Sequence, residues 1–202
     1  MSPTIASLTD RIQALETELE AELAKRRAEL HVGLEKGRAH FEAELLRRHR
    51  EMRTRLSTYI AHARPMVVLT APVIYALIVP LVLLDLFVSL YQAICFPAYG
   101  IEKVRRGDYM VFDRHHLGYL NVLEKFNCAY CSYANGLIAY VREIAGRTEK
   151  HWCPIKHARR VVGAHSAYAR FEDYGDAEGY RKLEEEMAAK RRKADRQGLE
   201  RV

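Results

Sequence analysis

The sequence predicts a mainly α-helical chain with three parts. These are a long N-terminal amphipathic helix with an eleven-residue repeat, a membrane segment that is a Pro-broken helix or a re-entrant hairpin, and a small helical C-terminal domain containing cysteine and histidine. Three observations predict it. From Pro65 to Ile101 the only side chain charged at neutral pH is Asp85, although Lys, Arg, Asp and Glu crowd the rest of the 202 residues. Apolar residues recur every eleven positions before that stretch, and at three and four positions after it. The boundaries read as 1–64 for the long helix, 65–97 for the membrane segment, 98–170 for the Cys/His domain and 171–202 for a charged tail.

In the N-terminal part, Leu8, Leu19, Leu30, Phe41 and Met52 form one series, and Ile12, Leu23, Leu34, Leu45 and Leu56 a second, four residues on. Eleven residues over three turns is ~3.67 per turn, close to the natural helix value, so the stripe runs nearly straight. A helix from Ile5 to His62 would extend ~85 Å. Ser and Thr in SPTIASLTD supply caps, while Gly33 and Gly37 weaken the middle. Two positions per eleven is a narrow seam, suited to a coiled coil of identical copies. The alternatives are a helix lying on the bilayer and a foreign helix as partner. The many Glu residues between positions 16 and 44 favour the coiled coil and thus a homo-oligomer.

The segment MVVLTAPVIYALIVPLVLLDLFVSLYQAICF, Met66 to Phe96, exceeds the ~20 apolar residues that cross a bilayer. It is too internal for a signal peptide, and the chain has too little other apolar sequence to bury it. As one straight helix it would be ~46 Å long. Pro80 could instead divide it into two arms of ~20 Å that enter and leave one face. Arg47, Arg48, Arg50, Arg53, Arg55 and Arg64 precede it, and Lys103, Arg105, Arg106 and Arg114 follow, so both flanks prefer the cytoplasm and the hairpin is favoured. Asp85 lies deep in either arrangement, as a functional site or as a protonated acid bonded to a neighbouring copy or a freed carbonyl.

Beyond Gly100, an extended run at Tyr109 to Phe112 leads to Asp113, a candidate cap for a helix from His116 to about Lys150. Gly136 and Gly146 interrupt its pattern. Cys128, Cys131, Cys153 and His157 are spaced C-x2-C-x21-C-x3-H. Two such pairs complete a tetrahedral zinc site if the chain reverses between Glu149 and Pro154. Iron is the second metal considered, with His115, His116, Asp113, Glu124 and Glu143 as nitrogen and oxygen donors, although the paired Glu-x-x-His pattern is missing. The competing reading is that the cysteines are small apolar residues of a helix interface. C-x-x-C lacks the following His of haem attachment, and no βαβ unit accompanies it. Reduced thiols again suit the cytoplasmic face.

The formal charge of +6 flanks the apolar stretch, which suits a bilayer with anionic headgroups; no motif or aromatic–basic surface points to nucleic acid. No nucleophile–base pair or phosphate-binding glycine loop appears. The sequence therefore reads as a non-enzymatic, membrane-embedded, self-associating scaffold with a structural metal site. A membrane-bound metal or redox enzyme and an accessory subunit of a larger membrane complex are the alternatives.

Overall fold

A computed structural model describes residues 3–29, 32–35, 38–41 and 43–199, and these are mainly helical. The chain divides into two units, one of Ile12–Ile144 and one of Met1–Arg11 with Ala145–Val202.

The N-terminal part departs from the expected single helix. Helix α1 spans Pro3–Glu29, after which β1 (Val32–Glu35) and β2 (Arg38–Phe41) pair antiparallel, Val32 opposite Phe41 and Glu35 opposite Arg38. Two short helices follow, α2 (Ala43–Glu51) and α3 (Leu56–Ala61). The interruption coincides with His31-Val32-Gly33 and Gly37, where β-branching and two glycines cost the helix more than the Ala, Glu and Leu of α1 do. The eleven-residue stripe therefore does not run along one rod. Leu8, Ile12, Leu19 and Leu23 lie exposed on α1, Met52 and Leu56 are exposed, and Leu45 is half-buried. Leu30 lies outside the described residues, as do the side chains of Leu34 and Phe41.

The apolar segment forms α4 (Pro65–Ala76) and α5 (Ile78–Ala98), which join at Leu77. Leu77 keeps right-handed helical angles, and together the two make a 34-residue helix, among the described residues the one long and apolar enough to cross a membrane. The junction has a local cause. Pro80 has no amide hydrogen for the Ala76 carbonyl, so the ladder breaks one turn before it, while the proline sits in the first turn of α5, where its ring is tolerated. No reversal occurs there, and the re-entrant hairpin does not form. Toward its end α5 closes with a double cap. The Ile101 N–H donates to the Phe96 carbonyl at 2.8 Å and the Gly100 N–H to Pro97 at 3.3 Å, with Gly100 at φ 66°, a conformation cheap only for glycine.

The chain then doubles back as an irregular segment, residues 101–121, with short 3-10 turns at Arg106–Asp108 and Asp113–His116. Tyr109 to Phe112 forms no strand, and Asp113 opens one of these turns instead of the long helix. Helix α6 (Val122–Trp152) starts at Asn121, whose side-chain oxygen accepts from the Glu124 N–H at 3.0 Å while Glu124 accepts from the Asn121 N–H at 2.8 Å. This reciprocal pair satisfies two of the donors that a helix start leaves open.

Three side-chain pairs, Tyr75 with Asn127, Asp85 with Tyr133 and Gln92 with Tyr140, climb α4–α5 and α6 in the same order. The two helices thus run parallel, and the return segment connects the top of one to the foot of the other. The core of this unit is Phe96, Val104, Leu137, Tyr140 and Ile144, with Leu81, Val88, Tyr109 and Met110 packed around it. Only one stripe of α4–α5 is covered, through Ala71, Tyr75, Ile78, Leu81, Asp85, Val88, Gln92 and Phe96, at helical spacing. The remaining circumference is bare and apolar, with Leu69 at 73% and Phe87 at 65% exposure.

In the other unit a parallel bridge joins Ile155 to Glu172 beyond α6. Lys156 reaches Asp173 at 2.7 Å, and this hydrogen bond holds the Asp173 carboxyl below its ordinary range. Gly146 leaves room for the His165 ring, which bonds Glu149 at 2.9 Å. The charged tail forms α7 (Ala177–Leu199).

Gly136 provides a test of the return course. A Cβ there would meet the Tyr109 carbonyl at 2.5 Å and the Met110 Cα at 3.2 Å, so glycine is what lets the returning backbone lie on α6. Gly136→Ala gains ~1 kcal/mol of helix propensity but incurs an overpacking cost of ~1–3 kcal/mol. Thermal or denaturant melts in detergent should show net destabilisation on the order of 1 kcal/mol. Gly107→Ala, where nothing lies within 4 Å, should leave the melt unchanged.

Candidate functional site

Three polar residues of α5 lie on the covered stripe of the apolar helix. Asp85, Ser89 and Gln92 fall within two turns of α5, and the first and last of these are buried at 9% and 7% exposure. A carboxylate so placed loses hydration that only strong donors replace. Arg106, on the return segment, supplies them in a two-pronged contact: Nη1 donates to Oδ1 and Nη2 to Oδ2, the second at 2.6 Å. The Tyr133 hydroxyl of α6 donates to Oδ2 at 2.9 Å, and the Ser89 hydroxyl to Oδ1 at 3.3 Å. Asp85 is thus paired with a cation of its own chain.

Two turns on from Asp85, Gln92 acts as a piece of backbone. Its Oε1 accepts from the Val104 N–H at 2.6 Å, and its Nε2 donates to the Tyr140 hydroxyl at 2.7 Å and to the Val104 carbonyl at 3.4 Å. The side-chain amide satisfies both polar groups of a buried return residue that has no strand beside it. Together Asp85 and Gln92 pin the return segment to α5, and Tyr133 and Tyr140 pin α6 to both.

The electrostatics follow from this geometry. The hydrogen bond to Asp85 raises Arg106 above its already high ordinary value. Burial, then the hydrogen bond to the carboxylate, pushes the Tyr133 hydroxyl upward, which keeps it a donor. Arg106, Tyr133 and Ser89 all direct donors at the one carboxylate. What the arrangement does chemically is hold charge inside an apolar surface.

Cys128, half-buried, and Cys131, exposed, lie in the first third of α6, which continues to Trp152. Cys153, exposed, follows its last residue, and His157 stands in the loop beyond, its ring and N–H both engaged by the Tyr168 hydroxyl, at 3.2 and 2.6 Å. Among the described residues no three His, Cys, Asp or Glu side chains gather as a metal would need, and the four cysteines are free thiols. His115 and His116 are exposed and lean on each other, with ring centroids 3.8 Å apart. Arg106 had a signal in the sequence. A lone buried acid demands a cation, and Arg105 and Arg106 are the nearest arginines after the apolar run.

Compared with protein-family models, with characterised proteins and with solved structures, the chain has no match.

The two ends of the ion pair differ in burial, with side-chain exposure of 12% for Asp85 and 47% for Arg106. Arg106→Ala strands the buried carboxylate and should cost about 3 kcal/mol, whereas Asp85→Asn leaves a guanidinium that reaches water and should cost less. Denaturant melts of both variants and the double variant check the order, and equal losses would remove the burial argument. A second expectation concerns pH. Tyr133, raised in the fold, contributes stability fully present below the ordinary tyrosine range near ~10 and lost as pH rises through its elevated value. Tyr133→Phe should shrink that alkaline limb of the melting profile.

Proposed function

We propose that this chain is a non-enzymatic scaffold attached to a membrane by α4–α5, which lies along one leaflet so that the segments before and after it face the same compartment. The observation that carries this reading is the course of the return segment. Between the levels of Gln92 and Tyr75 it travels about 26 Å along the apolar helix, as irregular backbone with Arg105, Asp108, Asp113 and Arg114 exposed. A helix crossing the bilayer would carry that stretch to hydrocarbon depth, where exposed irregular backbone and charge are not tolerated. Lying in the plane, the helix immerses its bare side while the return segment and α6 cover the other. The same arrangement accounts for basic residues on both flanks, each Lys or Arg near an anionic surface contributing ~1 kcal/mol. It also puts the free cysteines and both flanks on one side, the cytoplasmic side by the charge rule.

The exposed Leu8, Ile12, Leu19 and Leu23 of α1 support self-association, since an apolar row on a 27-residue helix gains by meeting its own copy. Residues of a catalytic site are not part of the proposal.

Two measurements test it. In a background with the native cysteines replaced by serine, Ser57→Cys and Glu102→Cys flank the membrane helix. A membrane-impermeant maleimide should label both in inside-out vesicles and neither in right-side-out ones; labelling from opposite sides would mean a crossing and end the in-plane reading. Separately, Ile12→Glu with Leu19→Glu should reduce the mass found by light scattering in detergent from an oligomer to one chain. An unchanged mass would mean that α1 does not bring copies together.

A further inference from the structure

At the foot of the membrane helix α3 and α4 diverge from a corner formed by His62, Ala63 and Arg64. Arg64 is extended, at φ −63° and ψ 133°, and Pro65 takes the first position of α4, so the chain changes direction there. The result is a groove of about 760 Å³, within the size range of small-molecule sites. Its apolar wall is Ile60 of α3, Val67, Val68 and Ala71 of α4, and Leu123 of α6. Tyr75, bonded to Asn127, ends it about 16 Å along α4 from Arg64.

Arg64 is the one always-charged residue that lines the groove. His62 and Arg64 contribute basic groups, Thr54 and Thr58 contribute hydroxyls, and no Asp or Glu lines the groove. Arg64 makes no ion pair among the described residues. The His62 Nδ1 is occupied by the Thr58 carbonyl at 2.8 Å, which fixes that nitrogen as the donor and leaves Nε2 as the ring's other site. A basic end followed by an apolar trough along a membrane helix is the complement of an amphiphile with an anionic head.

We propose that this groove binds one acidic phospholipid, its phosphate against Arg64 and His62 and one acyl chain along Val67, Val68 and Ala71. The proposal rests on the membrane attachment argued above. Val67 and Val68 remain 55% and 59% exposed, so in the membrane the trough opens to the acyl region from which the lipid enters. Arg64, one turn before Val67, then stands at headgroup level.

The test uses the full chain purified in mild detergent, with lipid extraction and phosphorus analysis, and flotation on vesicles of phosphatidylcholine alone or mixed with phosphatidylglycerol. The wild-type chain should retain a stoichiometric acidic phospholipid and exchange it for phosphatidylglycerol in preference to phosphatidylcholine. Arg64→Gln, at an exposed position, should keep the melt and the flotation but weaken phosphatidylglycerol retention about fivefold. Val68→Trp, which fills the trough, should abolish retention of either lipid. Flotation with no retained phospholipid, or retention indifferent to both variants, overturns the groove while leaving attachment standing. No flotation on either vesicle overturns attachment itself, and the groove's ligand with it.

Discussion

A carboxylate nine-tenths withdrawn from water, in the middle of a helix that is otherwise apolar, is the constraint on which the described structure turns. Asp85 is tolerable only if donors come to it, and the strong donor that reaches it is a guanidinium twenty-one residues on. Bringing Arg106 back to α5 forces the chain to retrace its path, and the cap at Gly100 makes the turn possible. Once the segment has returned, α6 can only begin at the foot of α4 and run alongside in the same direction. The ion pair therefore contributes less as a source of stability, since buried pairs often break even against apolar packing, than as the element that selects one topology among several with the same hydrophobic pattern.

Gln92 plays the complementary part. Charge pairing fixes where the return segment crosses α5, but a buried backbone still needs its amide and carbonyl satisfied. A glutamine can do both at once, being donor and acceptor in one planar group. Its bond to Tyr140 ties a third element to the same point. Asp85 and Gln92 thus lie two turns apart on a single stripe, and each binds the two elements that cover it.

How much of this can be read from residues alone depends on the range of the interaction. The apolar run from Met66 to Phe96 and the three-and-four spacing of α6 are local properties, so their helices are legible. The N-terminal repeat misleads because periodicity reports where apolar groups would align if the backbone were helical, and says little of the cost of Val32-Gly33 and Gly37, where the helix gives way to a hairpin. Gly136 reads as a weakness of α6, yet its function lies in the Tyr109 carbonyl packed against it, a contact twenty-seven positions away. The cysteine spacing is compatible with a shared site only if the chain reverses between Glu149 and Pro154, a long-range condition that the local pattern does not contain. Pro80 is intermediate: its effect on the ladder is local and legible, but whether a break becomes a reversal is decided by what packs on either side.

The parallel course of α4–α5 and α6 also sets the direction of their peptide dipoles. In an antiparallel hairpin neighbouring macrodipoles oppose and largely cancel, whereas here they add, leaving a partial positive pole where Pro65 and Val122 begin their helices and a negative one where α5 ends. The cations Lys103 and Arg105 follow the negative pole of α5. The positive pole coincides with the corner at Arg64, so the amide groups of two helix starts reinforce the side chains there. In a medium of low dielectric, this makes one end of the embedded helix the preferred place for an anion even before any side chain is counted.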